Sequence, residues 1–181
     1  MKKDLVVCYS NTGNNRYLAE KIARRLDCEI EAIRPRINAF PLLLLMSAMK
    51  MGAGIKSLGH PPEEYGRIIL CGPIWMGKFI SPLRGFIKKY HGRINKLIFV
   101  SCCGSSDAAK NEKFGHGLVF KLIEGILGDK LVFCEAFPIG LVLPEDKQKD
   151  GNTIMKTRLS DDNFIGVIQE RFDKFIRKIT E

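Results

Sequence analysis

Apolar runs alternate with stretches of helical period along almost the whole chain. Leu5-Val6-Val7 opens a strand predicted over Leu5 to Tyr9, and Glu29–Ile33, Arg67–Cys71, Lys96–Ser101 and Leu131–Phe137 read as four more. Helical spacing predicts Asn14–Leu26, Pro82–Tyr90, Phe114–Leu127 and Asp161–Ile179 between and after them. The last of these carries Phe164, Ile165, Ile168, Phe172, Phe175, Ile176 and Ile179 at core spacing. Strand–helix alternation of this kind predicts an α/β fold, a mainly parallel sheet with helices on both faces. At 181 residues, the chain is expected to form a single domain over 1–181 with a core of its own.

One segment breaks the alternation. Phe40 to Met51 is apolar all round, runs into Gly52-Ala53-Gly54-Ile55, and is flanked by Arg34, Arg36, Lys50 and Lys56. It is too short to span a bilayer. It predicts an apolar helical insertion near 38–60, read first as a crossover helix buried against the sheet. A homodimer contact, a lid and a shallow membrane-surface anchor fit the same pattern.

The residues with chemistry to offer lie where predicted strands end. Ser10, Asn11, Thr12, Gly13, Asn14 and Asn15 join the first strand to the first helix. Backbone N–H groups and the positive helix end converge there, a geometry that holds phosphate without lysine, and Asn14 and Asn15 are expected to add amide donors. N-capping explains the same residue types in a plainer way. The segment resembles the phosphate loop of flavodoxins, a T/S-x-T-G-N-type signature that grips the terminal phosphate of FMN.

Two further loops extend the resemblance. Pro73, Ile74, Trp75, Met76 and Gly77 follow the third strand and resemble the flavodoxin-like loop in which an aromatic residue or its neighbour packs on the isoalloxazine. Cys102, Cys103, Gly104 and Ser105 follow the fourth strand, where small residues would let the backbone approach the pyrimidine edge; relatives often carry T-x-G-G or an aromatic there. The resemblance covers nearly the whole chain. It implies a flavodoxin-like three-layer sandwich with a five-stranded parallel sheet of order 2-1-3-4-5, and FMN as cofactor. Gly72 to Lys78 also satisfies G-x-x-x-x-G-K, but Phe79 stands where a Walker motif needs Ser or Thr. Gly52-Ala53-Gly54 lacks the third glycine of a dinucleotide loop.

Charge adds one departure. Twenty-nine Lys and Arg oppose 20 Asp and Glu, giving +9, whereas shuttle flavodoxins are typically acidic. A basic surface favours an acidic partner, an anionic nucleotide or an anionic membrane. No aromatic–basic platform or recognition helix accompanies it, so nucleic acid is not an expected partner. Six cysteines without a C-x-x-C pair read as reduced core residues of a cytoplasmic protein, and the scattered His60, His91 and His116 predict no metal site.

The resemblance implies electron transfer through the flavin. Three roles remain open: an electron carrier for a redox partner protein; an NAD(P)H-dependent FMN reductase acting on quinone or a similar acceptor; and a flavin-free interaction module. No catalytic acid–base pair is evident, and Asp107 reads as a turn or cap residue.

Overall fold

A computed structural model describes residues 3–181. In chain order the elements are β1 (Asp4–Cys8), α1 (Asn14–Leu26), β2 (Glu29–Ala32), α2 (Phe40–Ala48), β3 (Arg67–Cys71), β4 (Ile74–Trp75), β5 (Lys78–Phe79), α3 (Ser81–Tyr90), β6 (Lys96–Cys103), α4 (His116–Leu127), β7 (Leu131–Pro138), α5 (Gly151–Lys156) and α6 (Val167–Thr180). Five strands form one parallel sheet of order β2-β1-β3-β6-β7, the predicted 2-1-3-4-5 arrangement. β4 and β5 pair separately as a small antiparallel hairpin.

The central strands are apolar on both faces because helices cover both. Leu5 and Val7 of β1 point into the core that α3 and α4 cover with Leu83, Phe86, Ile87, Val119 and Ile123. Their neighbours Val6 and Cys8 point the other way, into the core that α1 and α6 cover with Leu18, Ile22, Phe172 and Phe175. The sheet is thus the middle of three layers, with a core on each side.

Four expectations change. The loop after β3 holds the β4–β5 hairpin, whose two-residue turn places Met76 at φ 48 and Gly77 at φ 66. Positive φ at both central residues matches the twist of a tight hairpin, and only one of them is glycine. β6 continues to Cys103, two residues beyond the predicted end, because Cys102 and Cys103 pair with Phe137 and Pro138. α6 starts at Val167 rather than Asp161: Gly166 at φ 62 breaks the backbone, and the Ser160 N–H donates to the Asn163 side chain in a turn before it. Phe164 keeps its core place from outside the helix, whereas Ile165, expected in the core at helical spacing, lies ahead of the helix and is exposed.

The largest correction concerns α2. It is not a buried crossover helix: only Leu43 and Ser47 of its nine residues are buried. The β1–β3–β6 face is already filled by α3, α4 and the returning segment with Ala53 and Ile55. α2 is therefore displaced toward the carboxyl end of the sheet, where Phe40 meets Trp75 and Ser47 meets the start of α3.

Candidate functional site at the carboxyl ends of β1, β3 and β6

The chain turns to one side of β1 to form β2 and to the other to form β3, so the order reverses between β1 and β3. Connections leaving such a point in opposite directions open a crevice beyond the strand ends. α1 begins on one flank of it. Gly13, at φ 98, supplies the turn, and a Cβ there would find nothing within 4 Å. The Gly13 N–H donates to Ser10 Oγ at 3.1 Å, while Tyr17 N–H is the one that closes onto Gly13 O. No side chain caps α1 and its first turn has no acidic residue. The first N–H groups and the positive helix end are thus left for an anion. Asn11 and Thr12 are exposed beside them. Arg16 and Arg34 line an adjoining cleft of about 200 Å³ with Tyr9, Ser10 and Asn38.

Asn14 and Asn15 work differently from expectation. Their amides do not face the anion position; both are buried and bonded within the protein. Asn15 donates to Cys102 O at 3.0 Å and accepts from Cys102 N–H at 2.8 Å. Asn14 donates to Thr157 O and accepts from Leu159 N–H, each at 3.0 Å. A primary amide offers a donor and an acceptor side by side, so each asparagine satisfies a complementary pair of backbone groups. The two residues contribute their main-chain N–H groups to the site and clamp its frame with their side chains.

The second loop brings Trp75 beside β1, edge-on to Tyr9 at 6.1 Å and to Phe40 at 5.0 Å between ring centroids. Trp75, Pro73 and Ile74 are half-buried, and Met76 is the open side chain of this loop, 68% exposed. Gly77 is required where it stands: a Cβ would lie 2.6 Å from Lys113 O, because the 104–115 loop rests on the hairpin tip.

In the third loop the cysteines are strand residues, not loop residues. Both are 5% exposed, with Cys102 in the α1–α6 core and Cys103 directed toward His116. Burial pushes the Cys103 thiol up to about 11, so it stays protonated and uncharged at neutral pH. The Cys102 backbone is committed to Asn15, which leaves exposed Gly104 as the accessible main chain at this end of β6. Ser105 Oγ meets His116 Nδ1 at 2.9 Å and accepts from His116 N–H at 3.2 Å, anchoring the start of α4.

His116, scattered in sequence among surface positions, is a buried junction. Its Nε2 lies 3.8 Å from Asp107, and Asp107 binds Arg171, which also holds Glu135. Burial lowers the His116 pKa despite the nearby carboxylate. Asp107 is the expected turn residue, its carbonyl accepting from Lys110 N–H at 3.4 Å, and its side chain is in addition a partner of α6. Only its three-dimensional neighbours reveal this; the residues are 64 apart. Among the described residues, no group of three or more His, Cys, Asp and Glu side chains is arranged to hold a metal ion, and all six cysteines are free thiols.

No family model matches the sequence, and no curated protein does. Solved structures do resemble the fold. A flavoprotein in complex with FMN from Lactobacillus acidophilus NCFM superposes with a TM-score of 0.60 at 16% identity, covering 75% of this chain and 93% of that one. A protein from Bacteroides eggerthii DSM 20697 described as a flavoprotein gives 0.60 at 20% identity, over 75% and 87%. A short-chain flavodoxin associated with a non-canonical PDU bacterial microcompartment gives 0.50 at 12% identity, over 99% and 97%. The fold is flavodoxin-like.

Proposed function

We propose that this protein binds FMN at the carboxyl ends of β1, β3 and β6 and passes electrons through it. The observation that carries the reading is the uncapped start of α1 at the point where the strand order reverses. A phosphate monoester fits what this chain provides there. The N–H groups of the first turn face it, Ser10 and Thr12 bring hydroxyls, and Gly13 leaves room for close approach. Arg16 and Arg34 add positive charge beside the loop without entering it.

The flat ring would lie between the hairpin and the end of β6. Trp75 and Met76 offer an apolar wall, and Gly77 and Gly104 leave the backbone open to ring nitrogens and carbonyls. FMN, when bound, supplies the redox chemistry, accepting and releasing electrons at the exposed ring edge. This chain's contribution is to hold the phosphate, exclude water from one ring face and fix the loops through Asn15 and Ser105. Burial keeps the Cys103 thiol protonated at neutral pH, so it is not a thiolate nucleophile there.

An FMN titration of the purified protein tests the reading, followed by anaerobic mixing with NADPH or NADH. Saturable quenching of flavin fluorescence is the expected result. Bleaching by a nicotinamide would mark a reductase, and reduction by a chemical donor alone an electron carrier. No binding would overturn the proposal and return the chain to the class of flavin-free modules.

A further inference from the structure

The charge of this protein is concentrated in one stretch. Residues 32–106 carry eleven Lys and Arg against Glu63 and Glu64, so the whole formal +9 resides there; the remaining residues balance at eighteen of each sign. Within it, the span from Ile33 to Pro62 has no acidic residue at all.

This acid-free span is built as an apolar knob on a cationic base. Arg36 N–H donates to Gly54 O and Lys56 N–H to Arg34 O, forming a two-stranded clasp below α2. Pro35 and Ile55 turn inward and are buried, which sends Arg34, Arg36 and Lys56 to the surface. Above the clasp, α2 exposes Phe40 (45%), Leu42 (38%) and Leu45 (56%), and Met49 (61%) and Met51 (48%) continue the patch past Lys50. Met76 (68%), beside Trp75 on the hairpin, extends it toward the crevice.

We infer that α2 and its basic clasp form a docking surface for an anionic lipid bilayer. Unbranched and γ-branched side chains around a short exposed helix suit the acyl–headgroup boundary, where each can bury independently. The cations at its base would lie at the level of lipid phosphates, where each favours binding by roughly fivefold. A second copy of this chain is a poor occupant, because a two-fold contact would set the basic clasp against its own image. α2 does not cross the bilayer: no described helix is long and apolar enough. Docking by α2 would bring the carboxyl end of the sheet against the membrane. The surface adjoins the proposed FMN site at Arg34 and Met76, but the test below uses no flavin and changes neither residue, so it stands whether or not FMN binds.

The test is sedimentation of the intact chain with vesicles, without flavin. Phosphatidylcholine alone is compared with phosphatidylcholine containing about one-third phosphatidylglycerol. Preferential binding to the anionic vesicles, weakened by salt, is expected, with a blue shift of Trp75, the sole tryptophan, from its place beside Phe40. Leu45→Glu/Met49→Glu changes exposed positions only and should cut partitioning at least tenfold with the circular dichroism spectrum unchanged. Arg36→Gln/Lys50→Gln/Lys56→Gln should lower it on anionic vesicles and flatten the salt dependence. Equal binding by wild type and the Glu variant would overturn the inference. So would absence of binding, or a dimer in solution that the Glu variant abolishes, or an acidic protein competing for the same residues while vesicles do not bind.

Discussion

The start of α1 and the helix α2 use side chains in opposite senses. At α1, polar side chains turn inward: Asn14 and Asn15 are buried, and between them they bond four backbone groups of distant segments. What remains outward is main chain beside the exposed side chains of Asn11 and Thr12. At α2, apolar side chains turn outward, while its one buried polar side chain, Ser47, donates back to Leu43 O of its own helix at 2.6 Å and ties the helix down by accepting from Ser81 N–H at 2.8 Å. The lesson is that residue polarity does not decide which way a functional segment faces; the bonding already available on the adjoining elements does. β6 and the 157–159 segment offered unpaired amides to the first, and a filled sheet face excluded the second.

Breaking the first region should cost most. Asn15→Ala leaves both Cys102 backbone groups unsatisfied in the core and should destabilise the protein by about 3 kcal/mol in urea titration. Asn15→Asp keeps the acceptor but sets a buried carboxylate oxygen against Cys102 O, and should cost at least as much as Ala at neutral pH. Gly13→Ala meets no steric neighbour, so its expected cost, about 1–2 kcal/mol, isolates the backbone strain at φ 98. FMN affinity, where measured, should fall with it.

Ser47→Ala tests one of two polar ties between α2 and the start of α3, the other being the Ser81 hydroxyl donating to Leu43 O at 2.9 Å. It removes two bonds and should cost about 1–2 kcal/mol by the same denaturation measurement. Leu45→Glu, on the outward face, should change stability by no more than about 0.5 kcal/mol. A loss comparable to that of Ser47→Ala would show that the outward face is packed in solution.

The smallest expected effect lies at His116. Its pKa is lowered in the folded state by burial, so the unfolded chain binds the extra proton first as pH falls below about 6.5. Its contribution is therefore complete above that pH and is lost on acidification toward the folded pKa. Urea midpoints at neutral and mildly acidic pH should diverge less in His116→Phe than in wild type.

The strand alternation, the parallel order and the small-polar loop after β1 were legible because each repeats a local rule: period, length and turn chemistry over consecutive residues. The hairpin was not, since β4 and β5 have two residues each and Met76 takes a positive φ that its side chain does not advertise. Exposure of α2 was hidden by composition: an all-apolar run has no polar stripe to mark the outer face. The roles of Asn14, Asn15 and Asp107 depend on partners 64 to 145 residues away, beyond any window of sequence. Gly166 carried the one local signal that the last helix starts late, a glycine just ahead of its apolar period.

The Asn14 bonds reach residues 143 and 145 positions further along the chain. That separation sets an order of assembly. The strand and helix flanking the anion loop are made within the first 26 residues, yet the loop cannot take its final form until residue 159 has been synthesised and threaded back. A growing chain on the ribosome therefore carries the ligand-gripping segment early and unfinished. A segment made before most of this fold is among the last to be completed.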